Sequence, residues 1–227
     1  MSPKDQKLFD HLSQFVSDHK KAFVERVLAA RTRHVTVVLE DIFQSQNASA
    51  VLRTCECMGL QDIHIVENTA KYHLNVRVLK GADKWLTLHR YRAPNVNNTE
   101  DCYRRLKAAG YRILLADPAE DGTPINDIDV SQGKIALAFG NELRGVSDYA
   151  IQYCDEKIRI PMYGFTESLN ISVSVAICLN TIMQKLRSSE EDFRLSALEK
   201  NALQLEWFKK IVKRSDIVER EFLKSIE

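Results

Sequence analysis

The stretch IALAFGNELRG, residues 135–145, joins an unbroken apolar run to a turn bounded by two glycines. Five consecutive apolar residues are typical of a strand that is buried on both faces, as the central strands of parallel sheets are. In the turn, Gly140 lets a ligand approach the backbone closely because it has no Cβ, and Glu142 adds a carboxylate. Taken alone, the turn fits an ordinary strand-to-helix connection better than a binding loop, and both interpretations stay open at this point.

Similar patterns on either side of this stretch predict the fold class. Between residues 35 and 186, short runs rich in β-branched residues alternate with segments of helical period, which indicates an α/β fold with a mostly parallel sheet covered by helices on both faces. Gly59 and Gly110 directly follow two of the helical segments, as helix stop residues do. The predicted strands are VTVVLE (35–40), DIHIVE (62–67), LTLHRY (86–91), RILLAD (112–117), IALAF (135–139) and KIRI (157–160). The predicted helices between them are NASAVLRTCECM (47–58), TEDCYRRLKAA (99–109) and SDYAIQYC (147–154).

The chain divides into three zones by charge and periodicity. We expect an N-terminal helical extension over residues 1–33, an α/β domain over residues 34–187, and a charge-rich C-terminal helical extension over residues 188–227. A chain of 227 residues with 44% hydrophobic content can bury one sizeable core. The net charge of +1 excludes attraction of a polyanion by the whole surface, but local basic patches remain possible.

Signals for secretion, membrane insertion and metal binding are missing from the sequence. No apolar run is long enough to cross a bilayer and the N-terminus has no secretory core, so we expect a soluble, cytoplasmic protein with no membrane partner. The five scattered cysteines are expected to be reduced and mostly buried. The six histidines form no ligand motif, and we therefore predict no metal site.

Polar, turn-rich loops follow four of the predicted strands. They come after Glu40, Ala116, Phe139 and Ile160, and their sequences are DIFQSQN, DPAEDG, GNELRG and PMYGFTESLN. Ligands of open α/β sheets gather at the carboxyl ends of the strands, so these loops are the predicted site. Neither a P-loop nor the glycine fingerprint of dinucleotide-binding proteins occurs.

Two polar residues stand out in the helix that follows the first of these loops. Asn47 can cap the start of the helix with its side chain. Arg53 lies in a mostly apolar helix, where a guanidinium must pair, reach solvent or bind an anion. The two side chains lie on successive turns but about 120° apart around the axis. For Arg53 alone, a surface position on an amphipathic helix is the simpler interpretation.

The segment GFTESLNISVSVAICL (164–179) predicts the start of a long helix, although polar and apolar residues alternate in part of it. No breaker lies between Gly164 and residue 187, so we expect one helix from Leu169 to Arg187 with Ser168 as its N-cap. Apolar residues lie nearly all round its first half. This pattern predicts burial on most sides.

Three segments, in this order, resemble the three motifs of the SpoU/TrmH class of SPOUT RNA methyltransferases. NASAVLRTCECMGL is similar to the first motif, ALAFGNELRGVSD to the second, and IPMYGFTESLNISVSVAICL to the third. The resemblance covers residues 35–187 and is closest to the tRNA guanosine ribose methyltransferases of the class. The residues that match are Asn47 and Arg53; Gly140, Glu142 and Gly145; and Ile160, Pro161, Met162, Gly164, Ser168, Leu169 and Asn170.

The resemblance implies a SPOUT-type α/β fold with a deep C-terminal trefoil knot, a homodimer, and S-adenosylmethionine as cofactor. It further implies methyl transfer to a ribose 2′-hydroxyl of a structured RNA, in the nearest relatives the D-loop guanosine at tRNA position 18. Two alternatives stay open. One is the same chemistry on ribosomal RNA, and the other is a non-catalytic RNA-binding or assembly factor with this fold.

The resemblance also assigns residues to roles. Arg53 would contact the 2′-hydroxyl and the adjoining phosphate, either as a base or as a stabiliser of the developing alkoxide. The remaining catalytic-site candidates are Asn47, Glu142, Ser168 and Asn170. The cofactor would bind through backbone groups near Ala116, Phe139, Gly140, Ile160 and Leu169. Lys84 resembles a basic residue near the RNA entrance of the family, with a solvated lysine as the alternative. Apart from the resemblance, Arg31 and Arg33 are candidate RNA contacts because they belong to a basic N-terminal segment that could hold RNA phosphates, with a solvated helix face as the alternative.

Overall fold

The computed structural model describes residues 1–119 and 121–226, and within them seven strands form one sheet. All pairs of neighbouring strands are parallel, and the order across the sheet is β3-β2-β1-β6-β4-β7-β5. The strands are β1 (Val35–Glu40), β2 (Asp62–Val66), β3 (Thr87–Tyr91), β4 (Tyr111–Ala116), β5 (Thr123–Pro124), β6 (Lys134–Phe139) and β7 (Glu156–Arg159).

The helices of the described residues follow the predicted alternation with the strands. They are α1 (Pro3–Ser13), α2 (Asp18–Ala30), α3 (Ser45–Met58), α4 (Val76–Leu79), α5 (Asn98–Ala108), α6 (Asp148–Tyr153), α7 (Ile171–Ser188), α8 (Ala197–Ile211) and α9 (Ser215–Ser225). Two 3₁₀ turns cover Ala82–Lys84 and Ile125–Asp127. In this part of the chain, every helix is too short or too polar to span a membrane.

The central strand β6 has apolar side chains on both faces of the sheet, as its sequence predicts. Ile135, Leu137 and Phe139 belong to the core that β6 shares with α3 and α7. Ala136 and Ala138 belong to the opposite core, which contains residues of α5 and α6. The predicted α/β fold, with a parallel sheet covered on both faces, is confirmed.

The chain forms two compact units. The sheet unit comprises Arg33–Phe193, and the helical unit comprises Met1–Thr32 with the chain from Arg194 onward. The sheet unit extends beyond residue 187, the end expected from sequence, because Phe193 packs against the sheet core. In the helical unit, Phe208 is fully buried and its ring centroid lies 4.9 Å from that of Phe9.

The starts of two helices differ from the sequence prediction. Helix α7 begins at Ile171 with Asn170 as its N-cap, since the Asn170 side chain accepts a hydrogen bond from the Ser172 backbone N–H. The predicted N-cap Ser168 lies outside the helix. Helix α3 begins at Ser45, so Asn47 lies inside its first turn and is not the cap.

The predicted stop at Gly59 is confirmed, and α6 has a side-chain cap at its start. Gly59 ends α3 in the left-handed region, at φ +91°, and Ser147 caps α6 by accepting from the Ala150 N–H at 3.2 Å. In the first half of α7, Val175 is fully buried against the sheet core and Val173 is 44% exposed, so burial of this half on most sides stays a prediction for the assembled protein.

Candidate active site

The turn from Gly140 to Gly145 is closed by its own backbone. Asn141 and Gly145 exchange two backbone hydrogen bonds of 2.7 and 2.9 Å, and Gly145 has φ +72°, which suits glycine. A Cβ added at Gly140 would lie 2.4 Å from the Gly145 carbonyl oxygen and 2.6 Å from a methyl carbon of Val146. The tightness of this turn therefore requires glycine at position 140.

Glu142 projects from this turn towards the N-terminus of α3. Its carboxylate accepts hydrogen bonds from the Phe43 backbone N–H at 3.0 Å, the Gln44 N–H at 3.4 Å and the Asn47 side-chain amide at 2.9 Å. Backbone N–H groups at a helix start have no partner within the helix, and the helix dipole favours a negative charge there. Glu142 thus fixes the start of α3 from a distant part of the chain.

Asn47 extends this network to the third motif. Its side-chain oxygen accepts a hydrogen bond of 3.1 Å from the Asn170 amide, while its own amide donates to Glu142 and, at 3.2 Å, to the Gln44 side chain. Asn47 is only 8% exposed, so its amide is held by protein partners. Glu142, Asn47 and Asn170 form one hydrogen-bonded chain that joins all three motifs.

Beside this chain lies a cavity of about 670 Å³ at the carboxyl ends of β4, β6 and β7. This volume falls in the range of about 300–1,000 Å³ that is usual for small-molecule sites. Asn47, Glu142 and Asn170 contribute to the lining together with Ser168. All five residues expected to hold the cofactor also line the cavity, and these are Ala116, Phe139, Gly140, Ile160 and Leu169.

The cavity lining is mixed in polarity. It contains apolar side chains such as Ile158 and Met162 and the charged residues Asp117 and Arg144. Cys178 also reaches the cavity, and burial raises the pKa of its thiol to about 12. Because a thiol with this pKa stays protonated at neutral pH, Cys178 serves as a small wall residue and not as a nucleophile.

Arg53 is not part of the cavity lining. It lies two turns further along α3, exposed, and makes no hydrogen bond or ion pair with the residues that the structure describes. The helical rise places its Cα about 9 Å beyond that of Asn47. Helical side chains lean towards the N-terminus of their helix, so the long Arg53 side chain is directed back along α3 towards its Asn47 end.

The three candidate RNA contacts have different environments. Lys84 is exposed at the end of the 3₁₀ turn Ala82–Lys84. The Arg33 Nε atom lies 2.8 Å from the Asp62 carboxylate, in a part-buried ion pair. Arg31 is 1% exposed, with its guanidinium over the Trp207 ring. Burial of Arg31 places it out of reach of RNA, contrary to the surface position expected from its basic segment.

Several lining residues lie in or near the predicted loops but received no role from the sequence, among them Asn141, Asp117 and Arg144. The Asn141 side-chain oxygen accepts from the Leu143 and Arg144 N–H groups at 2.8 and 3.0 Å, which is a turn that asparagine commonly forms. An asparagine directly after a strand-ending glycine was the available signal for it. Among the described residues, no three His, Cys, Asp or Glu side chains converge as metal ligands would.

Comparison with known proteins identifies the family of this chain. The SpoU rRNA methylase family model matches residues 34–180. The tRNA (guanosine(18)-2′-O)-methyltransferase of Borreliella burgdorferi is 41% identical over 208 residues, which cover 92% of this chain and 93% of that protein.

Solved structures share the fold. The crystal structure of the Aquifex aeolicus TrmH/SpoU tRNA modifying enzyme matches with a TM-score of 0.75 and 25% identity, covering 87% of this chain and 98% of that one. The SpoU methyltransferase AviRb from Streptomyces viridochromogenes, in complex with the cofactor AdoMet, matches with a TM-score of 0.60 at 23% identity, covering 73% and 65%. With its site at the strand ends and a family match over most of the sheet unit, the chain belongs to the SpoU rRNA methylase family.

Proposed function

We propose that this protein transfers a methyl group from S-adenosylmethionine to the ribose 2′-hydroxyl of guanosine 18 in the D-loop of tRNA. The observation that carries the proposal is the hydrogen-bonded chain of Glu142, Asn47 and Asn170 at the edge of a small-molecule cavity. Family membership supports the reaction class. The guanosine-18 enzyme that is similar over 92% of this chain supports the choice of substrate.

The cavity suits S-adenosylmethionine in both volume and lining. Its walls combine apolar side chains, such as Phe139 and Ile160, with a main-chain turn at Gly140 that leaves no room for a side chain. An adenosine moiety needs apolar walls and a few well-placed polar groups, and this lining has both. When bound, the cofactor supplies a methyl group activated by a positive sulfur.

The task left to the protein is to position the ribose and to help remove its proton. Both Glu142 oxygens already accept hydrogen bonds from Phe43, Gln44 and Asn47, so Glu142 is suited to positioning and not to proton transfer. Asn47 and Asn170 hold each other at the cavity edge. Ser168 keeps a hydroxyl at the same edge.

Arg53 is the proposed contact for the 2′-hydroxyl and the adjoining phosphate. Its guanidinium is exposed and uncompensated by any described neighbour, which suits it to bind an incoming anion. Because an arginine stays charged at neutral pH, stabilising the developing alkoxide is the role that physical chemistry favours over that of a base. The RNA would lie across the helix face between Arg53 and the cavity.

We further propose a cytoplasmic homodimer with the deep trefoil knot that this family implies. Two residues before and within α7, Leu169 and Val173, are 40% and 44% exposed, and the preceding aromatic residues Tyr163 and Phe165 are fully exposed. A second copy of the chain packing here would remove this apolar surface from water. Sedimentation should give twice the chain mass, and a Val173→Asp substitution should shift it towards one chain.

The test of the proposed reaction uses two tRNA transcripts that differ by one atom. The protein is incubated with labelled S-adenosylmethionine and tRNA carrying either guanosine or 2′-deoxyguanosine at position 18, with ribosomal RNA as a third substrate. We expect label on the ribose of the first transcript alone. Label on the deoxy transcript would refute the assigned position, and label on ribosomal RNA alone would favour the rival substrate. Binding of RNA without any label would favour a non-catalytic factor.

A pair of variants tests the role of Arg53. Arg53→Ala should lose methyl transfer by at least a hundredfold and keep the wild-type affinity for S-adenosylmethionine, since removing a transition-state hydrogen-bond donor costs about 10²–10³ in rate. Arg53→Lys keeps the charge without the planar fork and should recover only part of the rate. An Ala variant with near wild-type turnover would remove Arg53 from the mechanism.

A further inference from the structure

A second concave site lies at the carboxyl ends of β2 and β3. It has a volume of about 450 Å³ and is formed by residues 67–73 together with Arg90 and Arg92. The surrounding sequence is strongly basic, because residues 71–92 contain six Lys and Arg and a single acidic residue, Asp83. A nearly neutral chain therefore concentrates positive charge at this edge of the sheet.

The charges of this pocket are only partly compensated. Arg90 donates two hydrogen bonds of 3.0 and 2.8 Å from separate nitrogens to Glu67, and its guanidinium lies over the Tyr72 ring. Lys71 and Arg92 are exposed and form no hydrogen bond or ion pair with any described residue. Two free cations on a concave wall favour an anionic ligand, and the arginine fork matches a phosphate group.

Asp41 forms hydrogen bonds both with the loop of this pocket and with a turn beside the candidate active site. The Asp41 carboxylate accepts backbone hydrogen bonds from Asn68, Thr69 and Ala70 at 2.7, 2.9 and 3.1 Å, and so fixes the loop that forms the pocket. Its backbone carbonyl accepts a 2.5 Å hydrogen bond from the Asn141 side chain, which lies in the turn beside the cavity. Asp41 adopts φ +50°, a left-handed conformation that aspartate and asparagine tolerate.

We propose that this pocket, which we call the Lys71/Arg92 pocket, binds a backbone phosphate of the substrate RNA and so sets the position of the strand relative to the cavity. The inference rests on the proposed function, since it takes the ligand to be the RNA whose ribose is methylated. RNA is a better candidate than an acidic protein segment. Asp41 is hydrogen-bonded to segments of both sites, and a polynucleotide can place one phosphate at the pocket and another at the candidate active site.

The test compares two double variants of equal charge. Lys71→Ala with Arg92→Ala removes the pocket cations. Lys107→Ala with Lys134→Ala is the control with the same change of charge, because Lys107 lies in the last turn of α5 and Lys134 begins β6, at the amino end of that strand and not at its carboxyl end. For each protein, the tRNA dissociation constant is measured across salt concentrations, together with S-adenosylmethionine affinity and turnover at saturating tRNA.

The pocket variant should bind tRNA about tenfold more weakly at low salt, and its salt slope should fall by about two, as expected for the loss of two phosphate contacts. Cofactor affinity should stay at the wild-type level, because neither Lys71 nor Arg92 lines the cavity, whereas turnover should fall because the RNA strand is held less well relative to the cavity. The control variant should resemble the wild type. A pocket variant that binds tRNA within twofold of the control, with an unchanged slope, overturns the inference.

Asp41 provides a second, independent measurement. Asp41→Ala removes the acceptor of three backbone N–H groups and should weaken tRNA binding. Asp41→Asn keeps a side-chain oxygen, and asparagine also adopts the left-handed backbone conformation, so this variant should bind tRNA as the wild type does. Equal tRNA affinity of both variants and the wild type would contradict the role of Asp41 in holding the pocket. If the wild type binds tRNA through Lys71 and Arg92 but methylates no RNA, the proposed function fails while the phosphate pocket stands.

Discussion

Replacing Glu142 tests whether the candidate active site is held together as the structure describes. Glu142→Ala removes the acceptor of three hydrogen bonds, of which the one from Asn47 is buried. A hydrogen bond to a charged group contributes about 1.5–3 kcal/mol when a partner would be left unsatisfied. The exposed Phe43 and Gln44 N–H groups can turn to water, so their loss adds little beyond a helix-dipole term of about 0.3–1 kcal/mol.

These contributions add to about 2–4 kcal/mol for Glu142→Ala. Glu142→Gln keeps one acceptor oxygen and loses the charge, so it should cost about 1 kcal/mol. Urea unfolding of the wild type and both variants measures the difference directly. In a chain of this size, each 1 kcal/mol also lowers the melting temperature by about 2–4 °C.

Binding and turnover separate the positioning role of Glu142 from a chemical one. If Glu142 only positions Asn47, the Gln variant should retain most of its S-adenosylmethionine affinity and methyl transfer, with an unchanged pH profile, while the Ala variant loses both functions. Stabilities of the two variants within about 0.5 kcal/mol of the wild type would refute the hydrogen-bond geometry. A stable Gln variant without methyl transfer would instead make Glu142 a participant in proton removal.

Three further predictions follow from single residues. Gly140→Ala should destabilise the protein by about 1–3 kcal/mol in urea unfolding and abolish cofactor binding in calorimetry, because the new Cβ would meet the Gly145 oxygen at 2.4 Å. Gly164→Ala is the control, because a Cβ at this position would have no atom within 4 Å. Equal stability and cofactor binding of the two variants would contradict this explanation. Asn170→Ala should lower the stability by about 1 kcal/mol and remove most of the methyl transfer, because it loses both the helix cap and the bond to Asn47. Asn170→Asp keeps the cap and should recover the stability but not the methyl transfer. An Ala variant that is both stable and active would contradict this prediction. Burial next to His89 lowers the pKa of His64 to about 3, so the folded protein keeps this ring neutral while the unfolded chain protonates it below about pH 6.5. Stability should therefore be complete above pH 6.5 and fall towards pH 3, by about 1.4 kcal/mol at pH 5.5, and a His64→Gln variant that loses as much as the wild type would exclude His64 as the cause.

The sheet and its loops could be predicted because their signals are local. The apolar runs around Leu114 and Leu137 are long enough to require burial on both faces, and a strand–helix alternation leaves few topologies other than a parallel sheet. Residues at strand ends then had to converge, which brought Ala116, Phe139 and Ile160 to one cavity. The order of strands across the sheet had no comparable local signal.

The helix starts and the buried arginine could not be predicted because distant partners decide them. Ser168 and Asn170 are both good N-caps, and the choice follows from a hydrogen bond between Asn170 and Asn47, 123 residues apart. Arg31 lies in a basic segment that indicates a surface, yet its partner ring, Trp207, comes from the other end of the chain. Local propensity contains no information about such pairs.

The place of β6 between β1 and β4 has a consequence for synthesis of the protein. As the chain leaves the ribosome, β1, β2 and β3 can pair at once, but β4 must wait because β6 and β7, its neighbours in the finished sheet, are translated later. During this interval two apolar strands have open edges, which is the condition for association with other nascent chains. Fragments that end before residue 134 should therefore precipitate or recruit chaperones, and completion of β6 closes the exposed edge of β1 and one of the two exposed edges of β4.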